Sequence, residues 1–582
     1  MTTDDNGDRT AAKFTDSPHV VERALRATRS CATNKAIAAM KKLRALRPLR
    51  SQRILEKRRR VLALGAMLAL GAAGALALLF AGCGGGSSTI APSPPPPTPS
   101  VQPLQIADVQ KIIQAAVSSI NVDMVVAVVD RAGFVLGVYR TQNAPTTAAG
   151  NFSATADAND LAVALARTGA FFSNNQAPLS SRTVRFISGI HFPAGVENQP
   201  PADLYGIENT NRGCTLTNDA TFESRIPPSS ALSGGFGLGV ITGKKDVMDS
   251  DPNTVNPGGV PIFYQDVVLG GIGVVTASTN LNVAEYAALT GATTQRGAAG
   301  DNFGPTPAAP GVVFMGGVAL PFVQQTTLPA GLSSGPAAGS GSFLSAPANS
   351  AGQPPDGDLM APVAGPLGGL SAADVKQILD NAEAEAKLTR AAIRLPLGSR
   401  TRMVMAVADL DGSIIGLRRM PDSTVFSIDV AATKARNMVY FNGPTRLASD
   451  LNQVPMGTAV TNRTISFGAE PFYPAGIDGS APGPFFNLYT MDTANPCTQG
   501  FQSGPPNDKK SGIVFFPGSA GLYRSGALVG GLGVSGDGVD QDDFVTNAGT
   551  KGFEAPAAIR ADQVLIDGVR LPYLKFPRNP TD

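Results

Sequence analysis

Lys434 and Arg436 stand two residues apart in ATKARNMVYF (Ala432–Phe441), and Arg463 follows in a Thr-x-Arg-x-Ile-Ser block at Thr461–Ser466. On a helix that spacing sends the pair to different faces, so one cation turns inward or towards a partner subunit. Together they suit a carboxylate or another anion, held by charge-assisted hydrogen bonds. A matching block, Thr183–Ser188, carries Arg185 four residues before a glycine-isoleucine-histidine run ending at His191. His191 and His19 are the chain's two histidines, which excludes a multi-histidine metal centre, and the absence of C-x-x-C-H excludes covalent c-type haem. Beyond residue 370 there is no histidine, so no Ser/His/Asp triad can be built there.

Three other patterns read as scaffold. Gly531-x-Gly533-x-x-Gly536 matches a dinucleotide fingerprint, but Thr276 replaces the third glycine in the related block, and the acidic run Asp537–Asp543 would repel a pyrophosphate. Close strand packing is the expectation there. Gly239–Lys245 lacks both the glycine spacing and the Ser/Thr of a P-loop. Asp130 and Asp409 each open an Asp-x-x-Gly turn, where a carboxylate caps the turn's own amides.

The elements that must position these residues come in two sets. MVVAVVDRAGFVLGVYR (Met124–Arg140) recurs as MVMAVADLDGSIIGLRR (Met403–Arg419). Further blocks recur in the same order, among them Asp160…Phe172 with Asp429…Phe441, Gly270–Val274 with Gly530–Val534, and Val313–Val323 with Val564–Leu574. The repeats span 104–325 and 370–582, joined by a Gly/Ala/Ser/Pro linker at 326–369. Each reads as helix, hairpin, helix, hairpin, helix, which predicts two copies of a helix-flanked antiparallel sheet domain of the α+β class, packed as a pseudo-dimer. Leu165 stands at the position of Lys434, so the cation set is complete only in the second copy. Cys214 and Cys497 sit nine and eight residues after Tyr205 and Tyr489 in equivalent loops, and a disulfide between the copies is expected in an oxidising compartment.

Residues 1–60 hold 16 Lys/Arg against 6 Asp/Glu, net +10, whereas the rest of the chain is net −8. An acidic body excludes a nucleic-acid partner. Lys57–Arg60 runs into the uncharged Val61–Gly82 and then Cys83, a lipoprotein signal in which Cys83 is lipidated; residues 83–103 form a Gly/Ser/Pro tether. A plain signal anchor is the alternative. Either reading puts the body outside the cytoplasm, and Gly84 after the cysteine favours the outer membrane.

LSAADVKQIL (Leu370–Leu379), MAVADLDG (Met405–Gly412), the Ala432–Phe441 helix and LVGGLGVSGDGVDQD (Leu528–Asp542) resemble the GlcG/HbpS family of haem-binding and haem-degrading domains. The resemblance implies sheet domains that dimerise or assemble further, and haem as the expected ligand. It makes Lys434, Arg436 and Arg463 candidates for the propionates in a pocket between the Lys434/Arg436 helix and an Arg463 strand, with Arg185 and His191 as first-copy candidates and His191 as an axial ligand. The expected function is a membrane-anchored, extracytoplasmic binding protein. The scarcity of histidine and the loss of the lysine counterpart weigh against catalysis. A structural or adaptor lipoprotein without ligand, and a haem-degrading enzyme, remain the alternatives.

Overall fold

The computed structural model describes residues 101–216, 237–304, 313–503 and 507–576. All of them fall in the compact unit Pro99–Asp582; the basic segment, Val61–Gly82, Cys83 and most of the tether lie outside the described residues. Among the described residues no helix is long and apolar enough to cross a membrane.

Chain order in the first half is α1 (Ile106–Ser118), β1 (Met124–Asp130), β2 (Val135–Arg140), a ribbon of β3 (Thr147–Ala149) and β4 (Thr155–Asp157), α2 (Ala158–Phe172), α3 (Ser181–Phe186), β5 (Gly259–Tyr264), β6 (Val267–Thr276), α4 (Asn282–Ala292), and a ribbon of β7 (Phe314–Met315) and β8 (Val318–Ala319). Then come β9 (Ser342–Ser345) and β10 (Gly357–Met360). The second half runs α5 (Ala372–Ala386), β11 (Val404–Ala408), β12 (Ile414–Arg419), α6 (Phe426–Phe441), α7 (Asn462–Gly468), α8 (Phe486–Ala494), β13 (Ser519–Arg524), β14 (Ala527–Ser535), α9 (Val539–Gly549), and the ribbon β15 (Leu565–Ile566) and β16 (Val569–Arg570). The protein is therefore mixed α and β, built on antiparallel sheets.

Two five-stranded sheets carry the fold, ordered β5-β6-β1-β2-β9 and β13-β14-β11-β12-β10, so their strand orders correspond. β1 is buried along its whole length because both faces are covered. Met124, Val126 and Val128 point to a core shared with α1 and α4, while Val125, Ala127 and Val129 point to the core under α2. That second core is common to both halves: it also holds Val404, Ala406 and the α6 side chains. At its centre Phe172 stacks on Phe426 with ring centroids 4.2 Å apart.

Glycines set how closely helix and sheet approach. A Cβ at Gly271 or Gly273 would lie 2.1 or 1.9 Å from the Ala166 or Ala162 carbonyl oxygen of α2, and Gly531 and Gly533 meet Ala435 and Ala431 of α6 in the same way. The glycine fingerprint is thus a packing surface, not a phosphate cradle.

Two expectations need correction. Residues 326–369 do not merely link the halves, since β9 pairs with β2 and β10 with β12, so the segment supplies one edge strand to each sheet. Arg463 lies on a short helix, not a strand, and Arg185 lies on another short helix. The caps of those helices also correct the register between the halves. Ser180 and Thr461 are the N-caps, each in a capping box with the threonine three residues on, Thr183 and Thr464. Those threonine hydroxyls donate to the Pro321 and Pro572 carbonyls respectively. The structural counterpart of Arg463 is therefore Arg182, not Arg185.

Candidate functional site

Lys434 leaves α6 towards α9 and is fully buried. Its ammonium donates to Asp542 Oδ2 at 2.9 Å and to the Val534 carbonyl at 2.7 Å, and lies 4.9 Å from the Phe516 ring centre. The Gly518 backbone makes room, because a Cβ there would come within 2.7 Å of the lysine nitrogen. Burial outweighs the pairing: it pushes the Asp542 carboxyl up to about 7 and lowers the Lys434 ammonium. Asp542 Oδ1 is buried with no hydrogen-bond partner.

Arg436 leaves by another face, as the two-residue spacing requires. Its guanidinium donates to the carbonyls of Gly412, Thr215, Leu216 and Asp508 at 2.8–2.9 Å, and to the Ser511 hydroxyl. Two of those acceptors belong to the first half, so the side chain ties the halves together. Arg463 forms ion pairs with Asp543 and, at 2.8 Å, with Asp540. Its counterpart Arg182 pairs with Glu285 at 2.7 Å. Arg185 is buried; it donates to the Thr254 carbonyl at 2.7 Å and to the Asp251 carbonyl at 2.8 Å, and pairs with Asp249 at 3.2 Å.

The candidate cations Lys434, Arg436, Arg463 and Arg185 do not converge on an open pocket. Each is spent on internal carboxylates or carbonyls, which corrects the expectation of a propionate site between the Lys434/Arg436 helix and Arg463. For Lys434 and Arg436 the physical reason is the burial of α6 on every side: it is clamped between its own sheet and the other half, so any cation it carries must be paired internally, while Arg463 and Arg185 are met by carboxylates of α9 and by Asp249.

His191 is nearly buried. Its Nδ1 lies 3.1 Å from the Gln199 carbonyl oxygen and its Nε2 lies 3.4 Å from Asp478 Oδ2, while the ring stacks on Phe472. With Nδ1 on a carbonyl, Nε2 facing a carboxylate and the ring buried, the imidazole does not stand as a free axial ligand. Among the described residues no group of three or more His, Cys, Asp or Glu is arranged to hold a metal ion.

Around His191 the halves meet one another, and His191 and Phe472, which stack, hold matching places before the same Pro-Ala-Gly turn. Asn198 N donates to Asp478 Oδ2 at 2.9 Å and Asp478 N donates to Asn198 Oδ1 at 3.2 Å. Tyr205 stacks with Tyr489 at 5.4 Å, and Cys214 is disulfide-bonded to Cys497. The turn aspartates behave as caps: Asp130 Oδ1 accepts from Phe134 N, and Asp409 accepts from Leu410, Gly368 and Leu367 N.

Two cavities lie near these residues. One, about 20 Å³, sits between the halves, bordered by Phe172, Phe426, Asp203, Ser535, Asp537 and Asp542. It has room for about one water molecule. The other, about 200 Å³, lies in the first half beside Leu165 and Ala284, the positions of Lys434 and Asp542 in the second. Neither reaches the roughly 300–1,000 Å³ of an ordinary cofactor pocket. The sequence reading missed Asp542, Asp543, Arg182 and Glu285. The acidic run Asp537–Asp543 was the available signal, since buried cations of known position need carboxylates.

Residues 370–551 match the family model described as haem degrading protein HbpS-like. No curated protein matches the chain. Among solved structures, a PduOC:heme complex is 24% identical over 32% of this chain and 96% of its own, with a TM-score of 0.21. Klebsiella pneumoniae ORFY, assigned to family model DUF336, is 18% identical over 32% of this chain and 90% of its own, with a TM-score of 0.20. The matched residues 370–551 hold strands β11–β14 of the second sheet, with both of its hairpins, and the Lys434 helix, and this stretch is what is similar to the HbpS-like family.

Proposed function

We propose that the chain is a membrane-anchored, extracytoplasmic binding protein for haem or a similar small ligand, made of two HbpS-like domains fused as a pseudo-dimer. The observation that carries the ligand is the match of residues 370–551 to the haem-degrading HbpS-like family model. Duplication is supported by the corresponding strand orders and by the matching caps and carbonyl partners of α3 and α7. Fusion as a pseudo-dimer is supported by His191–Phe472 and Cys214–Cys497, because corresponding positions touch each other only around a two-fold relation. Anchoring through Cys83 rests on the sequence of the Val61–Cys83 segment.

As arranged, Lys434, Arg436, Arg463, Arg185 and His191 do not fit haem, and in this reading they belong to the scaffold. That same observation favours a second reading, a structural or adaptor lipoprotein whose duplicated domains serve assembly. Titrating the full-length chain in detergent with haemin separates the two. A saturable Soret shift at one or two equivalents supports binding. A shift that never saturates moves the function to the structural reading.

A further inference from the structure

We propose that the first domain holds a binding site for a small apolar monocarboxylate, about one ring in size. The site is the cavity of about 200 Å³, whose apolar lining includes Leu161, Leu165, Val274, Val275, Leu281 and Ala284. An apolar cavity of about 150 Å³ accepts benzene, so this one accommodates a ring with a substituent. It is far too small for haem, and the proposal is independent of the haem reading.

The second domain shows why the space exists. There Lys434 and Asp542 close over Gly518, whose Cβ would meet the Asp542 Cβ at 2.6 Å. In the first domain Leu165 and Ala284 stand over Gly258, whose Cβ would find Ala284 at a looser 3.4 Å. Both charges are gone together, which leaves an apolar floor without an orphaned carboxylate. Leu281 also lines the cavity and is 43% exposed, so an apolar ligand would cover surface that now faces water.

Charge sets the head group. Lys245, exposed, is the one charged residue in the lining. Its acidic neighbours are turned to their own loop: Asp246 accepts from Met248 N, Asp249 from Lys245 N and Asp251 N, and Asp251 from Asn253 N. Asp249 is also paired with Arg185. A carboxylate at the mouth would therefore meet the Lys245 ammonium, with its apolar body towards Leu165.

Benzoate and toluene are the probes, titrated into the full-length chain by calorimetry and by saturation-transfer NMR. Saturable one-to-one benzoate binding is expected. Lys245→Gln should weaken benzoate about tenfold and leave toluene unchanged. Ala284→Leu should fill the floor and abolish both. Leu281→Asp, a surface change that leaves the core intact, should weaken benzoate about tenfold or more. The proposal is overturned if the parent shows no saturable benzoate binding up to about 10 mM. It is equally overturned if Lys245→Gln affects both probes alike, or if Leu281→Asp binds benzoate as the parent does.

Discussion

Replacing Lys434 with leucine puts into the second domain the residue that the first already has, and leaves Asp542 alone in the interior. The side chains of the pair are 0% and 3% exposed, and the lysine nitrogen sits 2.9 Å from Asp542 Oδ2. Removing one member of such a buried pair costs about 3–5 kcal/mol, chiefly because the remaining charge has lost its counter-ion. Adding Asp542→Ala should return at least about 2 kcal/mol of that loss, since the carboxylate that had lost its counter-ion is then gone. The penalty should also depend on pH. In the parent, burial raises Asp542 from 3.8 to about 7, so the folded state holds this proton more tightly than the unfolded one. That contribution erodes stability as pH rises from about 4 towards 7, at about 1.4 kcal/mol per unit. Without Lys434 the folded value climbs further, so erosion continues above 7, and the single variant should be most damaged near pH 8 and least near pH 5.5. Urea unfolding of the three proteins, followed by far-UV circular dichroism, measures this through the transition midpoints. The reasoning fails if the single change costs less than about 1 kcal/mol, if the double variant is no better than the single, or if the penalty grows towards acid.

Three further outcomes are expected. Gly518→Ala should destabilise the second domain by more than about 2 kcal/mol, because the new methyl meets Asp542, Lys434 and the Val534 carbonyl, all under 3 Å; thermal melts test this against Gly526→Ala, whose Cβ would meet nothing. Reducing Cys214–Cys497, which spans 283 residues of chain, should cost about 2–4 kcal/mol and lower the melting temperature, with no effect on a Cys214→Ser/Cys497→Ser variant. Cys83→Ala should release the protein from the membrane fraction or leave it as a larger precursor, and unchanged fractionation and gel mobility would favour a plain signal anchor.

The hairpins and long helices were legible because each carries several apolar residues at a fixed period, repeated at one offset. Met124–Arg140 and Met403–Arg419 became β1–β2 and β11–β12 for that reason. The α3/α7 register was misread by three residues, because Thr-x-Arg occurs at both Thr183 and Thr461, and only the capping geometry distinguishes them. The site was misread for a different reason. Lysine and arginine on α6 look like a ligand-facing cluster until the helix is found buried on every face, and sequence periodicity does not report the carboxylates a hundred residues away that meet them.

β9 and β10 constrain how the chain can be taken apart. Four residues each, flanked by glycine, serine and proline, they leave only residues 346–356 between the two sheets. A break anywhere in those eleven residues yields two halves whose sheets keep all five strands. A break at either end of the 326–369 segment instead strips the outermost strand from one half and bares the backbone of β2 or β12, an invitation to pair with a neighbouring molecule. Halves divided inside that window and expressed together should thus reassociate through their shared core without a bare sheet edge, and any recombination that trades one half for another has the same eleven positions in which to cross over.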